Sequence, residues 1–293
     1  MKQMTFAIVF VLNLFLSFAK AENGKLEEHE IKIADLTRSY VVFIPSDLPS
    51  EKVPLMYVLH GGTGNGSHAS RTMGMNDVAT KNHFIVAYPN GTGTFLGKNR
   101  RVWNAGGCCA IAQRKNINDM KFIEELTKEL IRKYPVDSRR IYATGESNGA
   151  TLAYRLMCEL PDVFAAVIPV SGSLMIDNCK AGQRVALFDI HGLNDKNVPY
   201  EGGKGKGVSN STFRSVQESI KIIAELRQCQ NSTKKTLENG DIETEYNCKA
   251  GAPIRARAIK GGEHAWPVAN GPKKNSNFSA AEEAWSFAKN YSR

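Results

Sequence analysis

The chain has 293 residues, a formal charge of +9, and 42% hydrophobic and 23% charged side chains. Those fractions belong to a soluble globular protein, and the length suffices for one α/β unit with a large core. The basic residues are scattered, with "GKNRR" and lysine pairs as the only clusters, so a soluble basic surface is expected rather than a nucleic-acid groove.

The first segment reads as an address. Lys2 precedes the apolar run "FAIVFVLNLFLSFA", and Ala19 to Ala21 fits a small-x-small cleavage site, so residues 1–21 are expected to be a signal peptide. The run is short for a membrane span, and no cysteine beside the site suggests a lipid anchor. A secreted protein, extracellular or periplasmic, of charge +7 and with no membrane anchor is therefore expected, with residues 22–293 forming a single catalytic domain. No repeat or linker divides it.

Along the mature chain, "HEIKIADLTRSYVVFIP" predicts two strands of an N-terminal hairpin. "VPLMYVL" and "FIVAYP" are short apolar runs, as buried parallel strands are. "NDMKFIEELTKELIRKY" places Phe122, Ile123, Leu126, Leu130 and Ile131 on one helical face. "RRIYATG" predicts a strand and "TLAYRLMCEL" a helix. The strands "FAAVIPVSG" and "RVALFDIHG" follow, then the amphipathic helix "STFRSVQESIKIIAELRQC". "KKTLENGDIETEYNC" predicts a hairpin turning at Asn239-Gly240, "APIRARAI" a last strand and "SAAEEAWSFAKNY" a last helix. Strands alternating with helices predict a mostly parallel, doubly wound sheet.

Six cysteines in an exported chain predict three disulfides. The Asn239-Gly240 hairpin brings Cys229 towards Cys248, although a two-residue turn would set Cys248 opposite residue 231. A ring closed across one peptide bond is strained, so Cys108 and Cys109 are expected to pair with Cys158 and Cys179, in an open order. No C-x-x-C pair or spaced Cys/His set predicts a metal, and no cofactor is expected.

Between the fifth predicted strand and its helix lies Gly145-Glu146-Ser147-Asn148-Gly149, a G-x-S-x-G sequence in the strand-to-helix context that such a turn needs. The turn lifts the Ser147 hydroxyl above the sheet. The helix behind it points its N-terminus at the place where oxyanion charge develops. Serine needs a base, and His264 in "IKGGEHAWP", after the last strand, is the candidate. The acid must fall between the two at a strand end. Asp195 is the first choice, with Asp177 and Asp189 as rivals. The Asn148 N–H is one oxyanion donor. The loop "LHGGTGNG" supplies the second, from Gly62 or, next to it, Thr63. That loop lacks the G-K-[ST] of a phosphate loop.

Together "LHGGTGNG", "WNAGGCCA", "VDSRRIYATGESNGATLAYRLMCELPDVFAAVIPVSG", "DIHGLNDKNVPYEGG" and "GGEHAWP" resemble the polyhydroxybutyrate depolymerase and feruloyl esterase-like group of exported α/β-hydrolases. The resemblance spans nearly all of the mature chain. It implies the α/β-hydrolase fold, Ser147 as nucleophile, Asp195 as acid and His264 as base, and it moves Asp195 well ahead of Asp177. Glu146 departs from the pattern, which has a hydrophobic or small residue there. The implied activity is carboxylic ester hydrolysis, on hydroxyalkanoate oligomers, feruloyl or acetyl esters, or short-chain esters. With no appended binding domain in this sequence, soluble or small esters are expected. Trp103, Tyr200 and Trp266 lie in the motif loops and are candidates to line an aromatic acyl pocket. An ester substrate is the only partner expected of a monomer. A peptidase of the same fold, or an inactive binding protein on it, is the alternative.

Overall fold

The computed structural model describes residues 23–94, 97–179, 184–207, 209–249, 251–269 and 278–293. The expected signal peptide, residues 1–21, lies outside them. The chain begins with β1 (Gly24–Ile33), β2 (Leu36–Pro45), β3 (Val53–Leu59), α1 (Gly66–Thr72), α2 (Met75–Asn82) and β4 (Ile85–Pro89). Two short strands, β5 (Thr92–Thr94) and β6 (Gly97–Val102), and α3 (Ala110–Arg114) precede α4 (Asp119–Lys133). The centre is β7 (Val136–Glu146), α5 (Asn148–Glu159), β8 (Ala166–Val170) and β9 (Ala186–Gly192). Then come β10 (Gly203–Lys204), β11 (Thr212–Phe213), α6 (Val216–Leu226), β12 (Cys229–Thr236), β13 (Ile242–Cys248), β14 (Ile254–Ile259) and α7 (Ala280–Ala288).

Ten strands form one sheet in the order β1-β2-β4-β3-β7-β8-β9-β14-β13-β12. The six from β4 to β14 are mutually parallel. An antiparallel hairpin closes each edge, β1–β2 on one side and β12–β13 on the other. The chain leaves β3 for β4 on one side and then crosses to β7 on the other. Strand order therefore reverses between β3 and β7, where the carboxyl ends of an open α/β sheet leave a crevice.

Both faces of the sheet are covered, which is why its central strands read as continuous apolar runs. Leu55, Tyr57 and Leu59 of β3 face one core with Phe122, Ile123 and Leu126 of α4, Leu152 and Leu156 of α5, and Ile220 and Ile223 of α6. Met56 and Val58 face the other core with Ala69 of α1, Val78 of α2 and Trp285 of α7. Helix starts are defined locally: Ser215 and Ser279 accept from the N–H groups of Glu218 and Glu282 three residues on.

The disulfides correct the expected pairing. Cys158 bonds Cys179, and Cys108 bonds its neighbour Cys109 across a cis peptide. Cys229 bonds Cys248, as expected, and stands directly opposite it. The two-position mismatch vanishes in two steps. The turn has three residues between Leu237 and Asp241, with Gly240 at φ 83°, and a bulge follows between Cys229 and Asn231. Among the described residues no helix is long and apolar enough to cross a membrane.

Candidate active site

The turn that carries Ser147 is built on close approach of β7 to β3. Gly145 pairs with Leu59, and a Cβ on Gly145 would lie 2.6 Å from the Leu59 carbonyl oxygen. A Cβ on Gly149 would strike the same oxygen. Only glycine fits at both places. Ser147 between them has φ 58° and ψ −120°, a conformation that L side chains rarely adopt and that the surrounding bonds must hold. Its N–H donates to the Val170 carbonyl at 3.0 Å, and its carbonyl accepts from the Thr151 N–H at 2.9 Å. Asn148 is the first residue of α5, so its N–H is one of those a helix leaves without an internal acceptor.

The loop after β3 approaches this turn. His60 is buried and bonded on both sides: Nδ1 donates to the Gly61 carbonyl at 2.8 Å, and Nε2 accepts from the Gly91 N–H at 3.0 Å. Burial pulls its pKa down to about 4, so the ring is neutral. It lies 4.8 Å from the Trp103 ring, whose Nε1 donates to the His60 carbonyl at 3.0 Å. The Asn148 side chain brackets the same residue, accepting from the Trp103 N–H at 2.7 Å and donating to its carbonyl at 3.1 Å. The Thr63 N–H donates to the Arg101 carbonyl at 2.8 Å, so Thr63 is corrected as an oxyanion donor: its hydrogen is already used. Among the described residues the Gly62 N–H has no such acceptor.

Asp195 follows β9, and its Oδ2 lies 2.7 Å from Nδ1 of His264. Its Oδ1 accepts from the N–H groups of Asn197 (2.8 Å) and Val198 (2.9 Å). Burial alone would raise this carboxyl. His191, 3.4 Å from Oδ2, and His264 outweigh it and hold the pKa well below the usual carboxylate range. The loop carrying His264 is seated by glycine: a Cβ on Gly192 would meet the Glu263 carbonyl oxygen at 2.8 Å and strike that of Gly262. Asn194 and Leu193 bond this loop through their N–H groups, to Gly262 at 2.8 Å and Ile259 at 3.0 Å. The rival acids lie elsewhere. Asp177 is exposed and ion-paired with Arg214, and Asp189 is buried in β9, accepting from the Tyr154 hydroxyl at 2.8 Å.

Ser147, Asn148, Gly62 and His264 line one cavity of about 470 Å³. A second, of about 760 Å³, adjoins it across Gly61–Thr63 and Glu146. The expected aromatic lining is corrected in two of three positions. Trp103 is fully buried, its indole N–H used by His60. Tyr200 packs on the main core with its ring 5.9 Å from His191, and lines neither cavity. Trp266 lines the second cavity but is largely buried, and its Nε1 donates to the Met73 carbonyl at 3.0 Å. The contributions of His60, His191, Gly192 and the Asn148 side chain were not read from the sequence. The repeated His-Gly pair at two strand ends was the available signal.

The sequence profile of the family described as esterase PHB depolymerase matches residues 38–191. The chain belongs to that family. Feruloyl esterase B of Piromyces equi is 30% identical over 236 residues, covering 78% of this chain and 42% of that protein. The bifunctional acetylxylan esterase/xylanase XynS20E of Neocallimastix patriciarum is 23% identical over 228 residues, covering 78% and 31%. The chain thus spans less than half the length of these two relatives. Among solved structures, the acetyl xylan esterase from Aspergillus awamori superposes with a TM-score of 0.60 at 15% identity, covering 83% of this chain and 95% of that one. That likeness shows the α/β-hydrolase fold.

Proposed function

We propose that the protein is a secreted serine esterase that hydrolyses carboxylic esters through an acyl-enzyme on Ser147, with residues 22–293 as its catalytic domain. The observation that carries this is one cavity lined by both the strained Ser147 and His264, whose Nδ1 is 2.7 Å from the Asp195 carboxylate. His264 Nε2 accepts the proton as Ser147 Oγ attacks the ester carbonyl carbon. Asp195 fixes the tautomer and stabilises the imidazolium. The oxyanion takes hydrogen bonds from the N–H groups of Gly62 and Asn148. Collapse breaks the acyl–oxygen bond, and His264 returns the proton to the departing alcohol. Water, deprotonated by the same histidine, then releases the acid.

The names of the relatives support feruloyl or acetyl esters of plant polysaccharide as the substrate class, and the family name adds hydroxyalkanoate esters. Three disulfides support export. The test is turnover of p-nitrophenyl acetate, methyl ferulate and a matching amide by the wild type and Ser147→Ala. Ester turnover should fall by roughly three orders of magnitude or more in the folded variant. A serine-directed phosphonate should label Ser147 alone. Near-full activity without Ser147 would sink the mechanism, and preferential amide cleavage would make the protein a peptidase.

A further inference from the structure

Apart from the two main cores stands a small apolar cluster of Cys108, Cys109, Val198 and Phe213, all buried, with Ala110 and Met175 against it. All of its members except Met175 line the cavity that holds Ser147 and His264. Because Cys108 and Cys109 are bonded to each other, this stretch of the wall contains no S–H donor. Such a surface is apolar and polarizable.

The wall is tied to the reacting centre from both sides. The Cys109 N–H donates to the Trp103 carbonyl at 3.3 Å, the same carbonyl that the Asn148 amide reaches. The Ala105 N–H donates to the Cys108 carbonyl at 2.6 Å. Opposite, the Val198 N–H donates to Asp195 at 2.9 Å, and its carbonyl accepts from His191 at 2.8 Å. Neighbours of the nucleophile and of the acid thus hold the wall in register with the bond to be cut. The adjoining cavity mixes polar side chains, Asn65, His68, Arg71 and Thr72, with the apolar Met73, Trp266 and Val268, and Ser147 does not line it.

An ester divides at the serine. Its acyl half stays bonded to Ser147 Oγ after the alcohol has left, so it occupies the cavity that Ser147 itself lines. We propose that the Cys108–Cys109 disulfide, with Val198 and Phe213, is the acyl-binding wall that sets acyl size, and that the adjoining cavity takes the alcohol half. This rests on the esterase reading above.

Two ester series separate the halves: p-nitrophenyl acetate, butyrate and octanoate vary the acyl group, and methyl, ethyl and butyl ferulate vary the alcohol. Phe213→Ala enlarges the wall, and a few methylenes of added room are worth about tenfold or more in selectivity. The octanoate-to-acetate ratio of kcat/KM should rise at least about fivefold, while the butyl-to-methyl ratio moves less than about twofold. The Cys108→Ala/Cys109→Ala double variant should shift the acyl ratio in the same sense. If that variant does not fold, Phe213→Ala on β11 still reads the same wall. An active Phe213→Ala enzyme with an unchanged acyl ratio, or with the alcohol ratio moving instead, overturns the assignment. A wild type inactive on both series would overturn the esterase reading itself, a different result from active enzyme with unaltered ratios.

Discussion

His60-Gly61 and His191-Gly192 are the same dipeptide at the same kind of place, the carboxyl end of a buried parallel strand. Both rings are buried, yet they are driven in opposite directions. His60 faces two backbone groups, a carbonyl and an N–H, and burial leaves it neutral. His191 is also penalised by burial, but its bond to Asp195 and the charges of Asp189 and Asp195 outweigh that and raise its pKa. The groups across the ring decide the outcome, and the local sequence does not. The difference suits the two halves of the site. A neutral His60 braces the loop that carries Gly62, the proposed oxyanion donor. His191 and His264, both beside the Asp195 carboxylate, help to keep it ionised.

The largest break in this comparison removes the charge that distinguishes the two sides. Asp195→Asn should lower ester kcat by about 10³–10⁴-fold, through loss of the imidazole tautomer and of imidazolium stabilisation. Asp177→Asn, on an exposed aspartate paired with Arg214, should stay within about twofold of wild type. Steady-state kinetics on one p-nitrophenyl ester decides it, and a reversed ranking would hand the acid's role to Asp177.

The contrast between the two histidines also marks where the sequence stops being legible. The parallel strands were readable because sheet faces covered by helices leave only apolar residues, as in "VPLMYVL". The nucleophile turn was readable because its glycines are demanded by contacts within one strand-turn-helix unit. His60 and His191 were not, since their partners Gly91 and Val198 come from other loops. Trp103 looked like a cleft residue because it sits in a loop motif, whereas its indole N–H is taken by a carbonyl 43 positions away. The Cys229–Cys248 register was misjudged by two positions because neither the three-residue turn nor the bulge has a sequence mark of its own. The bond between Cys108 and Cys109 has no mark in the local sequence, because Val198 and Phe213, which pack against the pair, come from distant segments.

A pH titration of stability sharpens the comparison on the His60 side. A base whose pKa falls from 6.5 to about 4 on folding binds fewer protons folded than unfolded in that window. Its contribution is complete above pH 6.5 and is lost as pH falls towards 4, on the order of 3 kcal/mol in all. His60→Gln lacks this titration. At pH 7 the variant should be less stable by about 1–3 kcal/mol, from the lost hydrogen bonds and the contact with Trp103. The gap should narrow steadily towards pH 4.5, because every other group titrates alike in both proteins. Chemical denaturation at the two pH values reads it, and parallel stability curves would mean that His60 is not held neutral by its burial.

The smallest effect compares the two glycines that follow these histidines. A Cβ on Gly61 would find its nearest neighbours, the Glu146 carbonyl oxygen and the Ser147 Cβ, at 3.5 Å, which is ordinary contact. A Cβ on Gly192 would meet backbone of the loop that carries His264, and backbone cannot rotate aside as a flexible side chain does. Gly192→Ala must therefore push residues 262–264 away from β9 while Asp195 stays anchored by the N–H groups of Asn197 and Val198. The 2.7 Å bond between His264 and Asp195 lengthens, and misplacement of the base by a fraction of an ångström should lower kcat about tenfold with little change in KM. Gly61→Ala should stay within about threefold. If Gly192→Ala leaves kcat intact, or Gly61→Ala costs more, then the glycine after β9 does not seat the histidine loop, and the oxyanion side is the less tolerant of the two.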